Sequence, residues 1–128
     1  MDKIVYVTGG AKGIGKTIVT LFCEKGADVT FCDIDSEAGK KLCGELSSFK
    51  CSFHEVDISD ASALEQSVNK VIEEKGDVDI IINNAGVGSF KSILDLTVEE
   101  FDKVLDINLR PLFITSRTLA KHREANPE

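Results

Sequence analysis

The sequence is poor in the features that mark membrane and nucleic-acid-binding proteins. No apolar run approaches the length that crosses a bilayer. A strand-like run follows Met1-Asp2-Lys3 directly, which leaves no room for a signal peptide. We therefore expect a cytoplasmic protein with no membrane partner. Lysine and arginine number 15 against 22 acidic residues, and the net charge of −7 argues against a nucleic-acid partner, which would need a basic face.

Closely spaced metal ligands are also missing. The two histidines, His54 and His122, stand far apart in the chain. The four cysteines form no Cys-x-x-Cys pair: Cys23, Cys32, Cys43 and Cys51. Because protein metal sites draw on close ligand pairs, we predict no metal site. We expect the cysteines to be reduced thiols that serve as small apolar residues.

Strand-like and helix-like segments alternate along the 128 residues, a length that suits one domain. Apolar runs predict strands over residues 3–8, 29–33, 50–56 and 78–83. Helices are predicted between and after them, ending at Gly26 and Gly76 and beginning near Asp35, after Asp60, and at the capping box Thr97-Val98-Glu99-Glu100. This rhythm predicts an α/β fold, a doubly wound parallel sheet of about four strands in the order 3-2-1-4 with helices on both faces.

Apolar positions predict which helix faces are buried. In the first helix they are Ile14, Ile18, Leu21 and Phe22. Pro111 should bend or break the last helix. The apolar positions there are Phe101, Val104, Leu105, Leu109, Leu112 and Phe113. Residues 121–128 are polar, and we expect them to form a frayed tail.

The most informative segment is the glycine-rich run from Thr8 to Gly15, which follows the first strand and opens the first helix. Glycines let a backbone approach a phosphate closely, and the free N–H groups of a helix N-terminus favour an anion. The spacing Gly-x-x-x-Gly-x-Gly therefore predicts a phosphate site at Gly9, Lys12, Gly13, Ile14 and Gly15. A tight turn without a ligand is the less favoured alternative.

Asp33 ends the second strand, followed by Ile34. A carboxylate there can accept hydrogen bonds from the hydroxyls of an adenosine ribose, and it repels a 2′-phosphate. Asp33 therefore favours NAD as the cofactor over NADP. Lys12 argues weakly the other way, because a cation in the glycine loop could pair with a 2′-phosphate. The alternative role for Asp33 is a helix cap or turn residue.

Two further segments lie at strand ends. Asp57 and Ile58 follow the third strand, where Asp57 could bond an adenine amino group and Ile58 could pack on the ring; a plain turn aspartate is an equal alternative. Asn84, Ala85 and Gly86 follow the fourth strand and would let backbone lie close to a ribose. Together with the glycine loop, these segments favour a ligand site over a set of turns.

These motifs resemble the N-terminal half of the short-chain dehydrogenase/reductase family. Thr8–Gly15 matches its glycine-rich motif, Asp57 its adenine-contact aspartate and Asn83–Gly86 its Asn-Asn-Ala-Gly motif. The resemblance covers essentially the whole chain. It implies a Rossmann fold, an NAD(P)-dependent oxidoreductase acting on alcohols and ketones, and a catalytic role for Asn108 in holding a water of the proton relay.

The rest of the family's catalytic set has no counterpart. The resemblance implies a serine, a tyrosine and a lysine four residues after that tyrosine, yet the only tyrosine is Tyr6 in the first strand. We therefore expect a truncated, N-terminal cofactor-binding half that takes an alcohol or carbonyl substrate only if the missing half is supplied. The alternative is a non-catalytic dinucleotide-binding or assembly module.

Self-association is expected as well. The fourth strand would form an edge of the sheet, although its run Ile80-Ile81-Ile82 suits burial on both faces. An exposed apolar edge invites pairing with another chain. We therefore predict a homo-oligomer that forms through this strand or the last helix.

Overall fold

The computed structural model describes residues 1–127. Its strands are β1 (Ile4–Thr8), β2 (Asp28–Asp33), β3 (Cys51–Glu55) and β4 (Ile80–Asn83). Its helices are α1 (Gly13–Glu24), α2 (Ser36–Glu45), α3 (Ala61–Lys75), α4 (Val98–Asn108) and α5 (Arg110–Ala125).

The four strands are parallel and form one sheet in the order β3-β2-β1-β4. This arrangement confirms the predicted doubly wound α/β fold and its strand order. The register pairs Thr8 with Cys32 on one side and with Asn83 on the other. The carboxyl ends of the central strands β2 and β1 and of the edge strand β4 therefore lie side by side at one edge of the sheet. At this place the strand order changes direction.

Helices cover the sheet on both faces. Val5 and Val7 of β1 point into a core formed with α1 and α2. Tyr6, between them, points into a second core with α3 and with Ile114 of α5. Successive strand residues face opposite sides, so a strand covered on both faces must be apolar throughout. This explains why β1 has no alternation of polar and apolar residues.

Local side-chain chemistry sets the helix ends. Asp35, Asp60 and Thr97 each accept a hydrogen bond from the backbone N–H three residues on, at 3.0–3.1 Å, and so begin α2, α3 and α4. Such caps satisfy N–H groups that lack a partner within the helix. Gly26 and Gly76 follow α1 and α3 with φ of 87° and 102°. The predicted helix boundaries at these positions are confirmed.

The buried face of α1 differs from the predicted one. Ile14 and Leu21 are exposed, at 76% and 52%, whereas Ile18 and Phe22 are partly buried. The residues that face the sheet are Gly15, Val19 and Cys23. The glycine loop holds the start of α1 so closely that Gly15 must face inward, and this contact fixes the rotation of the helix. The prediction was therefore wrong for Ile14 and Leu21.

The last helical segment breaks at Leu109, between α4 and α5, and Pro111 lies in the first turn of α5. The predicted break is confirmed. α4 has no buried residue, and the described chain leaves uncovered the apolar face of the helix through which the sequence predicts association. The exposed side chains of this face are Phe101, Leu105, Leu109, Leu112 and Phe113.

The end of α5 is more ordered than expected. Residues 121–125 are helical, and Arg123 donates to the carboxylate of Asp77 at 3.0 Å and to the carbonyl of Val78 at 2.8 Å. These bonds tie the helix to the segment before β4, so the expected fraying is wrong for 121–125. Glu128 lies outside the described residues. No helix within residues 1–127 is long and apolar enough to cross a membrane.

Candidate functional site

The glycine loop folds back onto the end of β2. The N–H groups of Gly9 and Gly10 both donate to the carbonyl of Cys32, at 2.8 and 3.2 Å. At Gly15 a side chain is excluded, since an added Cβ would lie 2.0 Å from the carbonyl oxygen of Gly9. Gly13 has φ of 58° and open space around it. The loop is therefore packed on its inner side and open where α1 begins.

The N-terminus of α1 is left without a side-chain cap. Its N-cap residue, Lys12, makes no capping hydrogen bond, in contrast with the capped starts of α2, α3 and α4. The first N–H groups of α1 are thus free to bind an anion, which the helix dipole also favours. Gly13 and Ile14 lie in this exposed first turn. The arrangement fits a pyrophosphate group.

The ends of β1 and β4 are clamped together. The hydroxyl of Thr8 accepts hydrogen bonds from the N–H groups of Asn84 and Ala85, both at 3.1 Å. The side-chain amide of Asn84 donates to the carbonyl of Gly9, also at 3.1 Å. The Asn-Asn-Ala-Gly segment thereby lies directly against the glycine loop. This clamp forms one wall of a cavity.

Asp33 braces the opposite wall. One carboxylate oxygen accepts from the N–H of Ala11 at 3.1 Å, and the other accepts from the N–H of Asp35 at 3.0 Å. The carboxylate is half-buried and joins the glycine loop to the start of α2. Asp33 is therefore a structural brace as well as a predicted ribose ligand. Each oxygen retains acceptor capacity, because an ionised carboxylate has about four lone-pair sites.

Lys12 is paired with Asp35 at 2.9 Å. The hydrogen bond that the Lys12 ammonium donates to the Asp35 carboxylate raises the pKa of Lys12. The pKa of Asp35 is lowered, first by the N–H of Ala38 and then by Lys12. The charge of Lys12 is thus already matched by a carboxylate, which leaves it less free for a 2′-phosphate.

Asp57 forms a local turn at the end of β3. One of its oxygens accepts from the N–H and the hydroxyl of Ser59, at 3.0 and 2.6 Å. These bonds lower the pKa of Asp57, the hydroxyl having the largest effect. The turn-aspartate role is therefore present in the structure. The second oxygen makes no hydrogen bond within the described residues and remains available to a ligand.

One cavity of about 340 Å³ unites these groups at the carboxyl ends of the strands. The predicted residues that line it are Gly9, Lys12, Asp33, Ile34, Asp57, Ile58, Asn84, Ala85 and Gly86. Three lining residues were not predicted: Val56, Val87 and Ile107. Val56 and Val87 adjoin predicted motifs in sequence, and their apolar character next to those motifs was the available signal.

Asn108 lies at the end of α4, and its amide is fixed by the loop after β4. Its oxygen accepts from the N–H of Val87 and its nitrogen donates to the carbonyl of Val87, both at 2.7 Å. This pair of bonds holds the loop at the mouth of the cavity. The role of Asn108 in holding a water of a proton relay stays a prediction of the resemblance, and in this structure its side chain bonds the loop that forms a wall of the cavity.

No cluster of three ligands suited to a metal ion occurs within residues 1–127. Tyr6 is fully buried in β1, where its hydroxyl lies 2.8 Å from that of Ser67. It lies in the core with α3 and takes no part in lining the cavity.

The family model for short chain dehydrogenases matches residues 3–127. The chain belongs to the short-chain dehydrogenase family. Among curated members, it is 39% identical over 109 residues to short-chain dehydrogenase reductase 4 of Arabidopsis thaliana, covering 84% of this chain and 37% of that one. It is 33% identical over 120 residues to cyclopentanol dehydrogenase of Comamonas testosteroni, covering 92% of this chain and 48% of that one.

Solved structures of the family agree with the fold. A short-chain dehydrogenase/reductase from Serratia marcescens superimposes with a TM-score of 0.88 at 31% identity, covering 94% of this chain and 50% of that one. The 3-ketoacyl-(acyl-carrier-protein) reductase of Brucella melitensis, complexed with NADH, gives 0.89 at 29% identity, covering 97% and 51%. The chain thus spans about half the length of the relatives it matches.

Proposed function

We propose that this chain binds NAD in the cavity at the carboxyl ends of the strands, as the cofactor-binding half of an oxidoreductase that interconverts alcohols and ketones. One observation carries the proposal. Four separate sequence motifs converge on a single cavity beside an uncapped helix N-terminus. Membership of a dehydrogenase family supports an oxidoreductase. The NADH complex of the Brucella melitensis relative supports a nicotinamide dinucleotide.

Different groups of the chain would bind different parts of the cofactor. The free N–H groups at the start of α1 would bind the pyrophosphate. The carboxylate of Asp33 would accept from the adenosine ribose, and the free oxygen of Asp57 would accept from the adenine amino group while Ile58 packs on the ring. The backbone from Asn84 to Gly86 would lie along a ribose.

NAD is preferred to NADP because the adenosine side of the cavity is acidic. Asp33 and Asp57 line this part of the cavity, and the one lysine that lines it, Lys12, is already paired with Asp35. A 2′-phosphate, with a charge of about −1.5 to −2, would meet net repulsion at this wall. Hydroxyls of an unmodified ribose would instead find carboxylate acceptors.

The bound dinucleotide would carry the hydride, accepting it from an alcohol as NAD or giving it to a ketone as NADH. Proton transfer needs a group within hydrogen-bond reach of the substrate, and Tyr6 is sequestered in the core. We propose that the serine, tyrosine and lysine of the family come from outside these 128 residues, with the alcohol or carbonyl substrate bound by the whole protein. Asn108 contributes by holding the loop at Val87 in place.

Titration of the chain with NADH, followed by nicotinamide fluorescence and by calorimetry, tests the binding proposal. We expect saturable binding of one NADH per chain. The variant Gly13→Val, which fills the open start of α1 and strains a residue with positive φ, should abolish it. Gly88→Val, at a position with open space outside the cavity lining, is the matched control. Failure to bind at millimolar NADH contradicts the proposal.

A second function, a module that assembles with copies of itself, is favoured by the exposed apolar face of α4 and α5. Phe101 and Phe113 are 52% and 56% exposed, and the two helices leave this face without cover. Large apolar patches on a soluble chain mark interaction surfaces. Light scattering should show oligomers that dissociate in Phe113→Glu but not in the control Asn69→Glu on α3. A monodisperse monomer for the unmodified chain would reject this function.

A further inference from the structure

Two cysteines face each other across the contact between α2 and β3. Gly39 lets the helix approach so closely that an added Cβ would lie 2.2 Å from the ring of Phe53. Cys43 lies four residues further along α2, and Cys51 lies two residues before Phe53 in β3. The step from Gly39 to Cys43 measures about 6 Å along a helix, and the step from Phe53 to Cys51 measures about 6.6 Å along a strand. Cys43 therefore lies opposite Cys51, as Gly39 lies opposite Phe53.

Hydrogen bonds confirm the placement of these side chains. The Cys43 thiol donates to the carbonyl of Cys51, with Sγ and O at 3.4 Å. Ser52 and His54, the alternate residues of β3, bond to groups of α3 on the opposite face of the sheet. Strand alternation therefore directs the Cys51 side chain to the α2 side, toward Cys43.

A third thiol joins the pair. Cys23 of α1 belongs to the same core, in which Cys43 and Cys51 also pack. Cys23 is 1% exposed, whereas Cys43 in α2 and Cys51 in the edge strand β3 are only partly buried. Cys32 is fully buried in the other core, beside Tyr6. An oxidant can therefore reach Cys43 and Cys51 before the other two.

We propose that Cys43 and Cys51 form a redox-active thiol pair that closes to a disulfide under oxidation and staples α2 to β3. Neither cysteine lines the proposed dinucleotide cavity. Within the described chain, neither belongs to a cluster of residues that could hold a metal ion. The disulfide joins α2, whose N-cap is Asp35, to β3, the strand that precedes Asp57.

The reaction balances with a two-electron oxidant. Each thiol loses a proton, a bond forms between the two sulfur atoms, and an azodicarboxamide such as diamide takes up two electrons and two protons at its N=N bond. A low-molecular-weight disulfide would serve in the same way and leave as two thiols. Burial raises the pKa of Cys51 well above its usual range. Thiolate is therefore scarce near neutral pH, and the closure should accelerate by about tenfold per pH unit.

Trypsin provides a direct test, because cleavage after lysine places each cysteine on a different peptide. Cys23, Cys32, Cys43 and Cys51 fall within residues 17–25, 26–40, 42–50 and 51–70. The full chain is treated with diamide, alkylated, digested without reductant and analysed by mass spectrometry. We expect a linked pair of peptides 42–50 and 51–70, lost on adding dithiothreitol. The unfolding midpoint should rise by several degrees on oxidation.

Serine variants supply the controls. Cys43→Ser and Cys51→Ser should each abolish the linked pair and the thermal shift, whereas Cys23→Ser should leave both intact. Circular dichroism of every variant establishes that the fold is retained. A link between 17–25 and 51–70 as the main product, four alkylated cysteines after oxidation, or links only between chains would each overturn the proposal.

Discussion

Removing the charge of Asp33 should narrow the preference for NAD over NADP. Asparagine keeps one oxygen that can accept from the N–H of Ala11 or Asp35, which the carboxylate now binds at 3.1 and 3.0 Å. The link that Asp33 makes between the glycine loop and the start of α2 is thus weakened but not lost. The amide can still accept from a ribose hydroxyl, although more weakly than a carboxylate. We expect the affinity for NAD to fall while that for NADP rises.

Coulomb's law gives the size of the change. A phosphate of charge about −2 at roughly 6 Å from the carboxylate is repelled by about 1.4 kcal/mol in a water-like dielectric and by about 2.8 kcal/mol at an effective dielectric constant of about 40. Partial exposure of Asp33 favours the lower half of this range. Asp33→Asn should therefore raise the ratio of NADP to NAD affinity by about 10- to 35-fold.

Calorimetric titration of both dinucleotides into the same preparations measures this ratio directly. Asp57→Asn is the matched control, since it removes a carboxylate from the same cavity on the adenine side. It should weaken both dinucleotides and change their ratio much less. A ratio that moves less than about twofold in Asp33→Asn refutes the assigned repulsion, whatever happens to the separate affinities. The effect should also shrink at high salt, because ions screen exposed charges.

Other residues give sharp tests of packing and pH dependence. Asn108→Ala removes both 2.7 Å bonds to Val87 and should lower the free energy of unfolding by about 1–2 kcal/mol in urea titrations; an unchanged value contradicts its positioning role. Gly39→Ala forces a Cβ into an aromatic ring and should destabilise by about 1–3 kcal/mol, whereas Gly44→Ala, with open space, should stabilise by up to about 1 kcal/mol. Burial lowers the pKa of His54, so its contribution to stability is complete above the unfolded pKa of about 6.5 and is lost as pH falls. The difference in stability between the unmodified chain and His54→Gln should therefore shrink below about pH 6.5, and a difference that grows on acidification would reverse the assigned sign.

The sequence was sufficient for the features that depend on local chemistry. The caps Asp35, Asp60 and Thr97 stand at their predicted helix starts because each needs only an N–H three residues away. Pro111 breaks the last helix through its own ring and missing N–H. The strand order followed from the regular alternation of elements and the handedness of crossovers.

Features that depend on distant contacts were not predictable from the sequence. Helix propensity alone marks Gly39 as unfavourable within α2, whereas the structure packs the ring of Phe53 where a larger side chain would lie. Ile14 fits an apolar stripe by spacing, but the contact of Gly15 with the glycine loop turns it outward. The partner of Asn108, Val87, lies 21 residues away in a loop. In each case a residue of another element decides the outcome, and periodicity carries no information about it.

The same long-range contacts hold the walls of the candidate site in place. Asp33 is bonded on both oxygens, Asn84 holds the carbonyl of Gly9, and Asn108 holds Val87. A ligand would therefore meet walls that are already ordered, and little of its binding energy would be spent on fixing loops. The start of α1 is the exception, because no side chain caps its first N–H groups. The pyrophosphate should consequently contribute the largest part of dinucleotide affinity, and adenosine alone should bind far more weakly than ADP.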